Sequence, residues 1–326
     1  MYFNFAILSL SIFCFIIFKL TSVSLMVSVQ SGDWIFAVIK LTIIVFLIFE
    51  IFKEWQNNIR PNKEAINQTT YDRSYISVFI AVVGGAMSTA LLNHYLNLGP
   101  VIASSLVGLL GVVVLKKFQI PIYCGSFVGM ASLGVLTNYG GIMLAASLSG
   151  FLFLIAGNVF IGFGGKLGAI AYFGTFFAAV LTGGIYNTVQ PDLVVPDYRL
   201  VVYFSLAAVM TYVINKRSLY GAVASSALVG LLFGILIPFF HDTSAGFLAV
   251  GAFCGSFVGM SAVRRLKNNV QVLVAGLIGS LIFIYTQYYF IGLGGKLGAM
   301  ALVASIATAG IFDFIQSKRP SDEGLS

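Results

Sequence analysis

Phe160-Ile-Gly-Phe-Gly-Gly-Lys-Leu-Gly-Ala-Ile-Ala171 returns, with two changes, as Phe290-Ile-Gly-Leu-Gly-Gly-Lys-Leu-Gly-Ala-Met-Ala301. The offset is 130 residues. The same offset separates Cys124-Gly-Ser-Phe-Val-Gly-Met130 from its identical copy, Cys254-Gly-Ser-Phe-Val-Gly-Met260. A shorter echo pairs Ala103-Ser-Ser-Leu-Val-Gly108 with Ala224-Ser-Ser-Ala-Leu-Val-Gly230. Shared composition would explain the echo, but not two long matches at one spacing. The reading is therefore an internal duplication, and the rest of the chain is read around it.

The solvent of this duplication follows from composition. Of 326 residues, 59% are hydrophobic and 9% charged, and the mean hydropathy is +0.99. A soluble domain carries about 25% charged residues, so this chain cannot clothe itself for water. An all-α integral membrane protein is expected, because a helix satisfies its own backbone in lipid. A span needs about 20 apolar residues, and about twelve candidates emerge. The first two, Asn4–Ser28 and Trp34–Ile51, fill segment 1–52. The first is read as a retained span, since no basic region precedes it and no small-residue cleavage site follows. A polar cytoplasmic connector occupies 53–74. Five spans fill 75–185, near 75–97, 100–115, 118–136, 141–160 and 166–185. An external loop covers 186–198. Five more fill 199–316, near 199–215, 219–240, 244–263, 270–290 and 296–316, and a polar cytoplasmic tail covers 317–326.

Basic residues orient the spans, because cytoplasmic loops are enriched in Lys and Arg. With Lys53, Arg60, Lys63 and Arg73 inside, the alternation also places Lys116, Lys117, Lys166, Lys216, Arg217, Arg264, Arg265, Lys267, Lys318 and Arg319 inside. Arg199 and Lys296 fall outside, with Asp192, Asp197 and Asp242. Fourteen basic residues against two favour twelve spans with both termini cytoplasmic, in the plasma (inner) membrane. Each repeat holds an odd number of spans, so the second copy enters from the opposite side. This is a 5+5 inverted-topology plan with a pseudo-two-fold axis in the membrane plane. In topology it resembles transporter architectures of the urea-transporter and leucine-transporter types.

The duplicated motifs supply the candidate site. Gly125 and Gly129, like Gly255 and Gly259, stand four apart and share one helix face, where another backbone can approach closely. Ser126 and Ser256 place hydroxyls beside that face. The packing reading is close helix contact, including contact of the two copies across the axis. The functional reading is a thin wall beside a solute path. In the other motif, Gly164, Gly165 and Lys166, and their twins Gly294, Gly295 and Lys296, stand where a helix begins. Helix N-termini carry unpaired N–H groups and partial positive charge, and lysine adds a full charge, so the chemistry suits a weak anion site. It is no Walker A loop, because Leu167 and Leu297 stand where Ser or Thr is required. The plain alternative is a tight turn with a topology anchor; Lys296, basic and outside, argues against that alternative.

Other features are expected to be bland. His94 and His241 read as interfacial polar residues. Glu50 and Asp313 read as snorkelling to the interface, Asp313 within reach of Lys318 or Arg319. Cys14, Cys124 and Cys254 are odd in number and embedded in apolar runs, so neither a disulfide framework nor a metal site is expected. No cofactor is implied. The repeat spans show no acidic residue near their middles, which argues against a proton relay. A nucleophile–base pair is not visible, so an enzyme is not expected. No aromatic-basic patch suggests nucleic acid. The expected partners are the lipid bilayer and a small anionic or neutral solute, with a homo-oligomer left open. The leading expectation is a transporter or channel-like facilitator, its path at the interface of the repeats. The alternative is a non-transporting membrane scaffold or assembly subunit.

Overall fold

The computed structural model describes residues 2–59, 75–184, 197–218, 220–241 and 243–318. The expected connector begins later than 53, because helix continues to Ile59; its remainder, most of the external loop and most of the tail, with Arg60, Lys63, Arg73, Asp192, Asp242 and Arg319, lie outside the described residues. Within those described, the regular structure is helical and no strand occurs.

We number the helices in chain order: α1 (Tyr2–Gln30), α2 (Trp34–Ile59), α3 (Tyr75–Ala90), α4 (Pro100–Val114), α5 (Gln119–Gly129), α6 (Leu133–Leu136), α7 (Tyr139–Ile155), α8 (Lys166–Leu181), α9 (Tyr198–Arg217), α10 (Gly221–Phe240), α11 (Ala245–Gly259), α12 (Asn269–Thr286) and α13 (Lys296–Ser317). Among the described residues, seven stretches are long and apolar enough to cross a membrane: α1, α2, α3 with its π-helical extension, α9, α10, α12 and α13. The apolar helices α4, α7, α8 and α11 are shorter. The architecture is that of a helical, multi-pass membrane protein.

Several elements are shorter than the apolar runs that contain them, for local reasons. The run 118–136 is divided: α5 ends at Gly129, and α6 starts after Ser132, whose hydroxyl accepts from the Gly134 N–H at 3.1 Å. The chain then re-enters α7 through Asn138, whose side chain accepts from Gly141 N–H at 3.0 Å. Asn268 caps α12 on Gln271 N–H at the same distance, one offset of 130 later. Each cap satisfies a donor that a helix start leaves orphaned. The run 75–97 loses its α-helical register at Ala90 and closes through a π-helical turn, Leu91–Tyr95.

Packing follows a recurring scheme. Helix α3 packs on α5 and α7, as α9 packs on α11 and α12; α7 packs on α8, as α12 packs on α13. Contacts between the two halves run chiefly through α4 with α10 and α8 with α13. Helices α1 and α2 pack on each other and reach α12 and α13. A carbon at Gly310 of α13 would collide with the Phe46 carbonyl of α2, so these two backbones touch.

One surface expectation is corrected. Glu50 does not snorkel: it is 1% exposed, with a carboxylate oxygen 3.6 Å from Lys53 Nζ and another 3.8 Å from Arg265 Nη1. Asp313 pairs with Lys53 of α2. Packing of α2 against α13 buries the Glu50 carboxylate, leaves that of Asp313 half-buried, and brings Lys53 to both.

Candidate functional site

The glycines of Cys-Gly-Ser-Phe-Val-Gly-Met are contact points within each half. A methyl at Gly125 would overlap the Val82 carbonyl of α3, and one at Gly129 the Ala86 carbonyl. In the second half, Gly255 and Gly259 stand in the same relation to the Phe204 and Ala208 carbonyls of α9. Small residues four apart let the backbones meet, as the spacing implies. The two copies of the motif face each other through their phenylalanines instead. Phe127 and Phe257 have ring centroids 4.7 Å apart, flanked by Tyr123 and Phe253, and all four rings are buried.

Beside this aromatic core runs a string of buried hydroxyls. Ser126 Oγ donates to the Tyr123 carbonyl at 2.8 Å and lies 2.8 Å from Ser104 Oγ. Ser256 Oγ donates to the Phe253 carbonyl at 2.7 Å and lies 2.9 Å from Ser226 Oγ, which is 3.0 Å from the Tyr123 hydroxyl. The shorter echo in the sequence thus has a physical content: Ser104 and Ser226 are the partners of the motif serines. The first residue of each motif joins it to the other one. Cys124 Sγ donates to the Leu167 carbonyl at 3.3 Å, and Cys254 Sγ to the Leu297 carbonyl at 3.1 Å.

The Gly-Gly-Lys turns also join the halves, and they do so reciprocally. Gly164 is pressed on the Phe257 carbonyl at the end of α11, and Gly294 on the Phe127 carbonyl at the end of α5. Gly162 carbonyl accepts from Ala262 N–H at 2.8 Å, while Gly292 carbonyl accepts from Ser132 N–H at 2.8 Å. Gly165 abuts the Gly298 carbonyl, and Gly295 the Gly168 carbonyl. At the centre Gly168 and Gly298 face each other, each in the space that a side chain on the other would need. Such i-to-j and j-to-i contacts are those of an isologous interface.

Each turn holds unusual backbone. Gly165 and Gly295 precede their helices at φ of 86° and 79°, a region open to glycine. Phe160 and Phe290 adopt φ of 50° and 54° with full side chains. Left-handed backbone at a bulky residue costs about 1–3 kcal/mol and persists where the surroundings enforce it.

The two lysines turn inward onto carbonyls. Lys166 Nζ donates to the carbonyls of Ala156 at 2.6 Å and Gly157 at 3.2 Å, where α7 ends. Lys296 Nζ donates to the Gln287 carbonyl at 3.1 Å and to that of Tyr289, beyond the end of α12. Lys296 is 8% exposed. A cation at a helix start opposes that helix's dipole. Here it is held by the orphan carbonyls and negative dipole end of the preceding helix.

Sequence reasoning missed several members of this centre. Gly168 and Gly298 lay inside the repeated motif, but nothing local marks them as the crossing point. Thr175 Oγ1 donates to the Gly294 carbonyl at 2.7 Å, and Ser261 Oγ accepts from Gly164 N–H at 3.0 Å. Both join residues more than 90 positions apart, so neither leaves a signal in a short motif. Beyond Met260 a cavity of about 420 Å³ is lined by Tyr212, Asn215, Lys216, Ala222, Met260, Ala262 and Val263. His94 Nε2 donates to the Ala131 carbonyl at 2.9 Å, and His241 Nε2 lies 3.0 Å from the Tyr203 hydroxyl. Among the described residues no cluster of His, Cys, Asp or Glu has the makings of a metal site.

The chain matches no family model, no curated protein and no solved structure. What the geometry defines is a class: a helical membrane protein whose two halves interlock through glycine turns.

Proposed function

We propose that the protein is a transporter of a small anionic or neutral solute, with its path at the interface of two inverted five-helix repeats. The observation that carries the reading is the reciprocal seating of the two Gly-Gly-Lys turns on the opposite half, around Gly168 and Gly298. With five spans per repeat and the axis in the membrane plane, that crossing falls at mid-depth and both turns lie deep. Irregular backbone at depth is tolerated where protein buries it or a cavity adjoins it, and interrupted helices meeting near the midplane are the usual site of transport.

The centre is filled by Phe127, Phe257 and the turns, so passage requires these parts to move. That favours a carrier over an open channel. The cavity beyond Met260 serves as a vestibule on the cytoplasmic side, where Lys216 offers an anion its charge. Lys166 and Lys296 act on transport by releasing their carbonyls and turning toward solute when the turns move.

The filled centre also gives a second reading some footing. A scaffold subunit would use the same glycines and inward-facing lysines for rigidity alone. Flux of small anions into proteoliposomes, measured on correctly inserted Lys166→Gln and Lys296→Gln proteins, separates the two. The transport reading expects each change to lower flux and to shift anion-to-cation preference. Unchanged flux and selectivity in both variants would remove the lysines from the mechanism; no flux in the unmodified protein favours the scaffold.

A further inference from the structure

The two turns are alike in sequence, but their surroundings are not. Around the first, the Phe160 N–H donates to Glu54 Oε1 at 3.0 Å, and Arg265 Nε donates to the Ile161 carbonyl at 2.9 Å. Glu54 and Arg265 also pair with each other at 3.0 Å, and the guanidinium lies 4.2 Å from the centre of the Phe163 ring. One carboxylate and one guanidinium thus hold adjacent residues of one turn by its donor and its acceptor. The matched position at the second turn, 130 residues before Arg265, is Val135, whose methyl group packs at Gly292.

The clamp is tied into the rest of the molecule through α2. Glu50, one turn before Glu54, approaches Arg265 and Lys53, and Lys53 in turn pairs with Asp313 of α13. The Glu54 side chain is 5% exposed and that of Arg265 is 19% exposed, so both charges depend on each other and on the turn for solvation. Neutralising either member removes the 3.0 Å ion pair at the turn, and loss of the Glu54 charge leaves Arg265 the longer approach to Glu50 at 3.8 Å. The carboxylate grips the turn at Phe160, whose φ of 50° is matched by 54° at Phe290, so the conformation belongs to the repeated turn and the clamp adds a restraint to one copy of it.

We propose that Glu54 and Arg265 are positioning residues that latch the first Gly-Gly-Lys turn, making the N-terminal helix pair a control element for one of the two turns. The internal duplication supplies two equivalent gates, and α2 with Arg265 makes them unequal. As a role in transport the latch rests on the function proposed above; as a restraint on the turn it does not.

The test is amide hydrogen exchange of the full chain in lipid nanodiscs, comparing segment 156–165 with segment 286–295. Glu54→Gln and Arg265→Gln are expected to speed exchange in 156–165 at least tenfold and to leave 286–295 unchanged. Arg265→Lys, which keeps charge but loses the guanidinium fork, is expected to fall between. Arg265→Val places the second turn's own residue at the first, and is expected to fold and to show the same one-sided loss of protection. Unchanged exchange at 156–165 in all of these variants, or equal acceleration of both turns in Arg265→Val, overturns the proposal. One-sided acceleration together with an absence of flux in the unmodified protein sustains the latch and removes transport.

Discussion

At the residue scale, the glycines divide into those that let backbones meet and those that do not. Gly168 and Gly298 leave no room for even one methyl, whereas a carbon built on Gly157 meets nothing within 4 Å. Gly168→Ala or Gly298→Ala is expected to cost about 1–3 kcal/mol through overpacking, and Gly157→Ala to be nearly neutral. Thermal unfolding in detergent reads the difference; equal midpoints for all three variants would mean that the crossing is looser than its geometry. The same scale shows why the lysines could be found in the sequence but not understood there. A basic residue between glycines marks a special position. That its ammonium reaches back to Ala156 and Gly157 depends on where α7 stops.

Elements carry the topology. Fifteen residues of α4 or sixteen of α8 span about 22–24 Å at 1.5 Å per residue, less than the roughly 30 Å of a bilayer core. Val101 near the start of α4 is buried, while the last residues of both helices, Val113 and Val114 of α4 and Val180 and Leu181 of α8, are exposed. Hydropathy overran their limits because the bounding turns, such as Phe160–Gly165, are as apolar as the helices. The alternation of sides remains testable. In single-cysteine proteins, thiol reagents should label position 216 from the cytoplasm, and positions 192 and 241 from outside. Labelling of 216 and 192 from one side would make the number of spans in the second repeat even and the inverted plan wrong.

Across the whole molecule, the cavity of about 420 Å³ beyond Met260 makes the two faces distinguishable. Met260→Cys and Val263→Cys are expected to react with a membrane-impermeant reagent added on the cytoplasmic side, and to be slowed by the transported solute. Reaction from the outside at equal rate would place the cavity on the wrong face. The N-terminal pair changes standing at this scale too. From the sequence it lies outside the duplication and reads as an appendage. In the fold, α2 lies along α13 and brings Glu54 to the first turn.

The sequence by itself determined that the protein is helical and made for lipid, and it set out the duplication with its two motifs. Those features live in composition and in local pattern, where burial in a bilayer demands apolar runs and a copied segment keeps its residues. It also pointed to glycine faces at the right positions. Only the tertiary structure decided what those faces touch: carbonyls of α3 and α9 for one motif, the opposite half for the other. It alone joined Cys124 to Leu167, Thr175 to Gly294 and Glu54 to Phe160. Each of these is a hydrogen bond between residues dozens of positions apart. Its partner is chosen by how helices cross, and no short stretch of chain encodes a crossing.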